Sequence, residues 1–171
     1  ADAIRQLVRA DLLWRDVEPA DDQWDFSRSD EVLMAAPAAP IVTLFSMQYA
    51  SATPPWDGGP GAFRPVLGAA ARDYVETVVK RYADHVRYWE IGNEMDHWRA
   101  ADPGDRNRPP AKRPPHQPPG GFSPEAQGRF VAEVAQLIRA NDPDAVILMP
   151  GMGGLGDYVL DEWLPGFLDG A

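Results

Sequence analysis

The chain contains no cysteine, so disulfide bonds and thiolate chemistry are both excluded. That absence leaves the redox compartment open, because cysteine-free chains occur on both sides of the membrane. No apolar run approaches the roughly 20 residues that a membrane span requires. No signal peptide is visible at residue 1, which need not be the natural start. Positive charge is scarce: 16 Lys and Arg face 26 Asp and Glu, a net charge of −10. A phosphate-rich partner needs a basic footprint, so nucleic acid is not an expected partner. The acidity serves solubility. The three histidines, His85, His97 and His116, form no zinc-ligand spacing, and no metal or other cofactor is expected. Hairpin signals between apolar runs are also missing.

What remains is the material of one globular core. At 171 residues with 44% hydrophobic content, a single domain over 1–171 is expected. Val8 to Leu13 reads as a short strand, followed by the loop "WRDVEPADDQWDF". Ser27 reads as a helix cap with Asp30 completing a capping box, and the helix runs to about Ala36. "PIVTLFSM", Pro40 to Met47, is near-continuously apolar, as expected of a strand buried on both faces. A Pro- and Gly-rich loop follows, then a helix within Val66 to Ala83 whose Val75, Val78, Val79 and Tyr82 recur at helical spacing. "VRYWEIGNE" is the third strand. Residues 103–121 hold seven prolines and three glycines and are expected to form a long loop without regular structure. Ser123 and Pro124 open the next helix at N-cap and N1, with Val131, Val134, Ala135 and Ile138 as its buried stripe. "AVILMPGMGG" is the fourth strand, running into a glycine loop, and a last helix closes the chain.

Strand and helix thus alternate four times, which implies an α/β fold with parallel strands and right-handed crossovers. An open doubly wound sheet or a partial (β/α)8 TIM barrel would satisfy that order. "GMGGLG" is the nearest approach to a nucleotide loop, but it follows the fourth strand and lacks an acidic partner about 20 residues on. A barrel fits better, because polar and aromatic residues crowd the strand ends: Trp14 and Glu18, Gln48 and Tyr49, Asn93 and Glu94. Barrel enzymes assemble their sites at that face.

The stretch "RYWEIGNEMDHW", Arg87 to Trp98, carries the chemistry. A carboxylate at Glu94, among Trp89, Met95 and Trp98, sits in a partly apolar setting. Desolvation there raises a carboxyl pKa and suits it to donate a proton near neutral pH. Asn93 offers a donor and an acceptor to a sugar hydroxyl. Trp14, Trp24, Tyr49, Trp56 and Trp98 could stack on sugar rings, or equally pack beneath loops. Asp96 and His97 stand between pocket-lining and solvated loop roles.

"YWEIGNE" resembles the fourth-strand motif of the clan A glycoside hydrolases, (β/α)8 enzymes in which Asn-Glu closes strand four. "VRADLLWRDVEPADDQWDFSRSD" is similar to the second strand and following loop of the same enzymes, especially family 39 and its relatives, with family 5 also close in type. The two motifs stand about 75 residues apart in the right order, and the resemblance covers nearly the whole chain. It implies that Glu94 is the general acid/base and that Asn93 hydrogen-bonds the substrate 2-hydroxyl. It further implies that Arg9 lies beneath the site and holds the nucleophile carboxylate, and that Trp14 and Glu18 lie near the sugar. Tyr49 and Trp98 join them as expected substrate-binding residues. Glu90 is expected to point into the barrel and pair with a cation such as Arg9 or Arg15. A carbohydrate is the implied partner, and enzymes of this type are commonly secreted.

The chain departs from many relatives in having Gly92 where they have Trp and Met95 where they have Pro, which bears on subsite shape. A retaining glycosidase also needs a nucleophile carboxylate about 5–5.5 Å from the acid/base. The family carries it on strand seven, whereas this chain matches strands two to five. Both ends read as cut, and a fragment of a larger barrel is expected. Glu162, beside Trp163, reads as part of a helix rather than as that nucleophile. A sugar-binding barrel without catalysis, or a segment that does not fold alone, are the rival expectations.

Overall fold

The computed structural model describes residues 8–34, 40–46, 54–57, 65–98, 123–157 and 159–171. The expected loop at 103–121 and Tyr49 lie outside these residues. Four parallel strands form one sheet in chain order: β1 (Arg9–Leu12), β2 (Ile41–Leu44), β3 (Tyr88–Ile91) and β4 (Val146–Leu148). The register pairs Arg9 with Ile41, Ile41 with Tyr88, and Tyr88 with Val146. Between the strands run α1 (Trp14–Val17), α2 (Ser27–Leu33), α3 (Ala69–Tyr82) and α4 (Pro124–Asn141). After β4 a π-helical turn (Val159–Trp163) leads into α5 (Leu164–Gly170).

The alternating order expected from the sequence is therefore present, with parallel pairing throughout. Each strand is shorter than the run read from the sequence, and β1 and β4 are the edges of the sheet. Leu12, Val42, Leu44, Trp89 and Ile91 share one buried cluster with Tyr74, Val75, Val78, Val79 and Tyr82 of α3 and Val131, Val134, Ala135 and Ile138 of α4. These are the stripes that the 3.6-residue spacing implied. α4 begins as read: the Ser123 hydroxyl accepts from the Ala126 N–H, and Pro124 takes the first helical position. No helix among the described residues is long and apolar enough to cross a membrane.

The start of α2 differs from expectation. Ser27 is already helical and Phe26 occupies the cap position. The Ser27 hydroxyl donates to Asp25 Oδ1 at 2.6 Å, and the same oxygen takes the Ser27 N–H at 3.0 Å. Asp25 thus does the anchoring. Asp30 does not fold back to complete a capping box; it pairs with Arg81 and accepts from Tyr82 Oη at 2.8 Å. A cation on α3 outcompetes a backbone N–H for its carboxylate, and Arg81 also lies 4.5 Å above the Phe26 ring. The loop after β1 also holds the unanticipated turn α1.

Candidate active site

Side chains alternate across each strand. One face presents the apolar cluster to the helices. The other carries Arg9, Asp11, Thr43 and Glu90. Thr43 is 0% and Glu90 7% exposed, so their polar atoms must find partners within the protein. They find one another. Glu90 Oε2 accepts from Arg9 Nε at 2.6 Å and from Thr43 Oγ1 at 2.6 Å. The Thr43 hydroxyl in turn accepts from Arg9 Nε at 3.0 Å. Glu90 Oε1 accepts the Gly151 N–H at 2.9 Å. The Glu90–Arg9 pair expected from the sequence is therefore formed. Asp11 lies at 3.9 Å from Arg9 Nη2, at the outer limit of an ion pair.

Arg9 extends the cluster upward. Its Nη2 donates to Asn93 Oδ1 at 2.6 Å, which leaves the Asn93 amide nitrogen facing away from that bond. Asn93 is 5% exposed and pairs in parallel with Gly151 beyond the last ladder residues. Glu94 follows with its backbone N–H donated to Gly151 O at 2.6 Å, and it is partly exposed.

The backbone turns sharply here. Gly92 has φ 82° and Glu94 φ 50°. A positive φ is ordinary for glycine and costly for glutamate, and such strain gathers at functional sites. Any side chain at 92 would also overlap the Met95 sulfur. The two positions that depart from the family pattern are thus one packing unit, with Met95 filling the space above Gly92. The turn also ends the simple alternation at Ile91, so Asn93 comes round to the side of Glu90.

The loop after β1 is a packed support. Trp14 is 3% exposed: it stacks on Tyr74 at 5.1 Å and meets Phe45 and Trp56 edge-on. Its indole N–H donates to Glu18 Oε2 at 2.6 Å. Glu18, 2% exposed, also accepts the Asp22 N–H at 3.1 Å, and its carbonyl accepts from Trp56 Nε1 at 2.9 Å. Burial raises the Glu18 pKa above its ordinary value, opposed by the hydrogen bonds from Trp14 and Asp22. Trp14 and Glu18, expected near the sugar, are thus buried here, with one indole face stacked on Tyr74. Trp24 stacks on Phe26 at 5.8 Å. Asp96, read as pocket or solvated, is buried and its Oδ1 accepts the Gly153 N–H at 2.9 Å. The backbone of Trp98 ends the 3-10 turn Met95–Trp98; its side chain, like Tyr49, lies outside the described atoms. Glu162 is exposed in the π-helical turn, as its helical reading implied.

Arg9, Asn93 and Glu94 are thus brought together, and Thr43 and Gly151 join them unforeseen. A lone hydroxyl inside "PIVTLFSM" was the available signal for Thr43. Gly151 read as punctuation, since nothing in sequence marks a backbone N–H as a ligand. Among the described residues no group of His, Asp and Glu is arranged to hold a metal ion.

No family model matches the chain, and no curated protein matches it in sequence. Solved structures do match in shape. A GH5_18 protein from Streptomyces cattleya in complex with GlcNAc superposes with TM-score 0.58 at 15% identity, covering 85% of this chain and 35% of that one. A family 39 glycoside hydrolase from the gut symbiont Bacteroides cellulosilyticus WH2 gives 0.56 at 18%, covering 94% and 29%. An exo-β-1,4-mannosidase from Opitutaceae bacterium strain TAV5 gives 0.57 at 23%, covering 85% and 25%. The fold is that of part of a (β/α)8 barrel of the kind these glycoside hydrolases have. Identities this low establish fold alone, and the partial barrel spans a quarter to about a third of those chains. Asn93, Glu94 and Gly151 follow the C-terminal ends of β3 and β4, the end at which such barrels gather side chains for chemistry.

Proposed function

We propose that this partial barrel carries the acid/base half of a retaining glycoside hydrolase site acting on a β-linked oligo- or polysaccharide. Glu94 protonates the leaving glycosidic oxygen and then, as carboxylate, deprotonates the water that resolves the glycosyl-enzyme. Asn93 hydrogen-bonds the substrate 2-hydroxyl through its amide nitrogen. Arg9, whose bonds to Glu90, Thr43 and Asn93 do not use its Nη1 edge, holds a nucleophile carboxylate contributed from outside these residues. Retention requires that carboxylate about 5–5.5 Å from Glu94. Tyr49 and Trp98 are the aromatic candidates for sugar contact.

The observation that carries this reading is the joining of Asn93 through Arg9 to the buried Glu90, directly beside a Glu held at positive φ. A solvated Asn-Glu pair at a strand end has no need of such a hold. The solved neighbours include an exo-β-1,4-mannosidase and a xylanase.

The test is to express the full reading frame and compare wild type with Glu94→Gln on aryl β-glycosides. On substrates with poor leaving groups, kcat/KM should fall by roughly 10²–10⁴-fold. On activated substrates, which need no proton to depart, the first step should suffer much less. Unchanged turnover on every active substrate sinks the assignment of Glu94.

A further inference from the structure

The ion pair at the base of the site does more than neutralise a buried charge. Glu90 lies on β3, four residues before Glu94, and a single carboxylate gathers donors from three separate segments. Arg9 of β1 and Thr43 of β2 meet its Oε2, and the Gly151 N–H beyond β4 meets its Oε1. Two routes run from it to the proposed catalytic pair. Through Arg9, whose Nη2 reaches Asn93 Oδ1 at 2.6 Å, it sets which edge of the Asn93 amide is occupied. Through Gly151, whose carbonyl accepts the Glu94 N–H at 2.6 Å, it ties down the backbone of the residue with φ 50°. Gly151 is compatible with this closure because it has no side chain: a Cβ there would sit 3.2 Å from Glu90 Oε1 and 3.3 Å from Asn93 Oδ1.

We infer that Glu90 is a positioning residue that orients the Asn93 amide nitrogen toward the substrate 2-hydroxyl and holds the Glu94 backbone in place. The Arg9 side chain is 42% exposed and long, and of its three acceptors Glu90 is the one that carries charge. Without the Glu90 charge, Asp11 is the acid among the described residues that is paired with Arg9, at 3.9 Å from Nη2. A guanidinium that turned toward Asp11 would leave Asn93 Oδ1 unpaired and free its amide to rotate. Glu90 touches no substrate in this arrangement and acts only through Arg9 and Gly151. This inference rests on the glycosidase reading for its effect on turnover, but not for its effect on Asn93.

Glu90→Gln tests it in the full-length protein. Glutamine keeps the volume, but it cannot accept from Gly151 and Arg9 together without turning an NH2 toward one of those donors. Two readouts are taken. The first is kcat/KM on a 2-hydroxy aryl β-glycoside and on its 2-deoxy analogue. The 2-hydroxy substrate should lose on the order of 100-fold, as for other small misplacements of a reacting pair. The 2-deoxy substrate should lose much less, and adding Glu90→Gln to Asn93→Ala should cost little more than Asn93→Ala alone. The second readout is the side-chain amide signal of Asn93 in asparagine-labelled protein, expected to shift or broaden in Glu90→Gln.

A lowered melting temperature with both the discrimination ratio and the Asn93 signal unchanged overturns the inference and leaves Glu90 a structural residue. If wild type hydrolyses no glycoside, the glycosidase reading fails instead. The Asn93 signal then decides the positioning by itself: moved, Glu90 holds Asn93; unmoved, it does not. Should Glu90→Gln fail to fold, Thr43→Val removes one donor to the carboxylate without altering its charge. It should shift both readouts in the same direction by a smaller amount, and no shift in either counts against the inference.

Discussion

The two faces of the sheet share four strands and have almost nothing else in common. Toward the helices, Leu12, Val42, Leu44, Trp89 and Ile91 are buried in one apolar cluster. On the opposite face, Arg9, Thr43 and Glu90 make a closed polar network that reaches Asn93. The first face is held by area removed from water, which is insensitive to the direction of any single side chain. The second is held by directional bonds, and a buried carboxylate that lost its donors would be costly. The difference teaches where to look for function. The apolar face explains why the sheet exists; the polar face would be an expensive way to build a core.

Trp89→Ala should produce the largest loss, about 3–5 kcal/mol, by emptying a fully buried aromatic site on the helix side. Urea unfolding of the full-length protein would read it as a lower midpoint. A loss under about 1 kcal/mol would mean that the helix-side face is not the main source of stability.

Next comes Gly92→Ala, where the two faces meet. Positive φ imposes strain of about 1–3 kcal/mol on a non-glycine residue, and the new methyl overlaps the Met95 sulfur. Met95→Ala clears the overlap but not the strain. The double variant should therefore show positive coupling in a thermodynamic cycle, with part of the Gly92→Ala loss remaining. Strict additivity would separate the two positions.

The smallest effect belongs to the outer layer. The half-exposed Asp30–Arg81 pair joins α2 to α3, and its hydrogen bond from Arg81 holds the Asp30 carboxyl below its ordinary range. A depressed carboxyl contributes stability that is complete above the unfolded-state pKa and is lost as pH falls through the folded-state value. Partial exposure limits that contribution to about 0.2–1 kcal/mol. Melting temperatures recorded from pH 7 down to pH 2.5 should fall more steeply for wild type than for Asp30→Asn. Parallel curves would assign the acid limb elsewhere. Glu18 acts with the opposite sign: its raised pKa makes the folded state the better proton binder, so its term weakens stability as pH rises from its ordinary value through the raised one.

Much of the fold was legible because it rests on repeating signals. Val131, Val134, Ala135 and Ile138 fall at 3.6-residue spacing, and that spacing survives any detail of packing. The Ser123–Pro124 start of α4 is a local matter of two residues and read correctly. Ser27 carried a similar signal and misled, because Asp30 found Arg81 across 51 residues of sequence. In the site, the Arg9–Glu90 pair could be anticipated, since a buried carboxylate requires a cation, although Arg9 reaches it from β1 across the intervening β2. Trp14 and Glu18 could not be assigned, because an indole at a loop base suits a sugar ring and Tyr74 equally well. The stack on Tyr74, 60 residues on, is a contact that only the tertiary structure shows.

The sequence by itself determined the alternation of strands and helices, their parallel order and the placing of Asn93 and Glu94 just past a strand end. Those follow from periodicity and from residues close in the chain. The tertiary structure alone decided that Thr43 and Gly151 belong with them, that Trp14 faces inward, and that Gly92 and Met95 act as one. The first two depend on groups 47 to 61 residues apart in sequence coming into contact, and the third on a turn that folds Met95 back over Gly92; hydrogen bonds and van der Waals contacts act only at such short range.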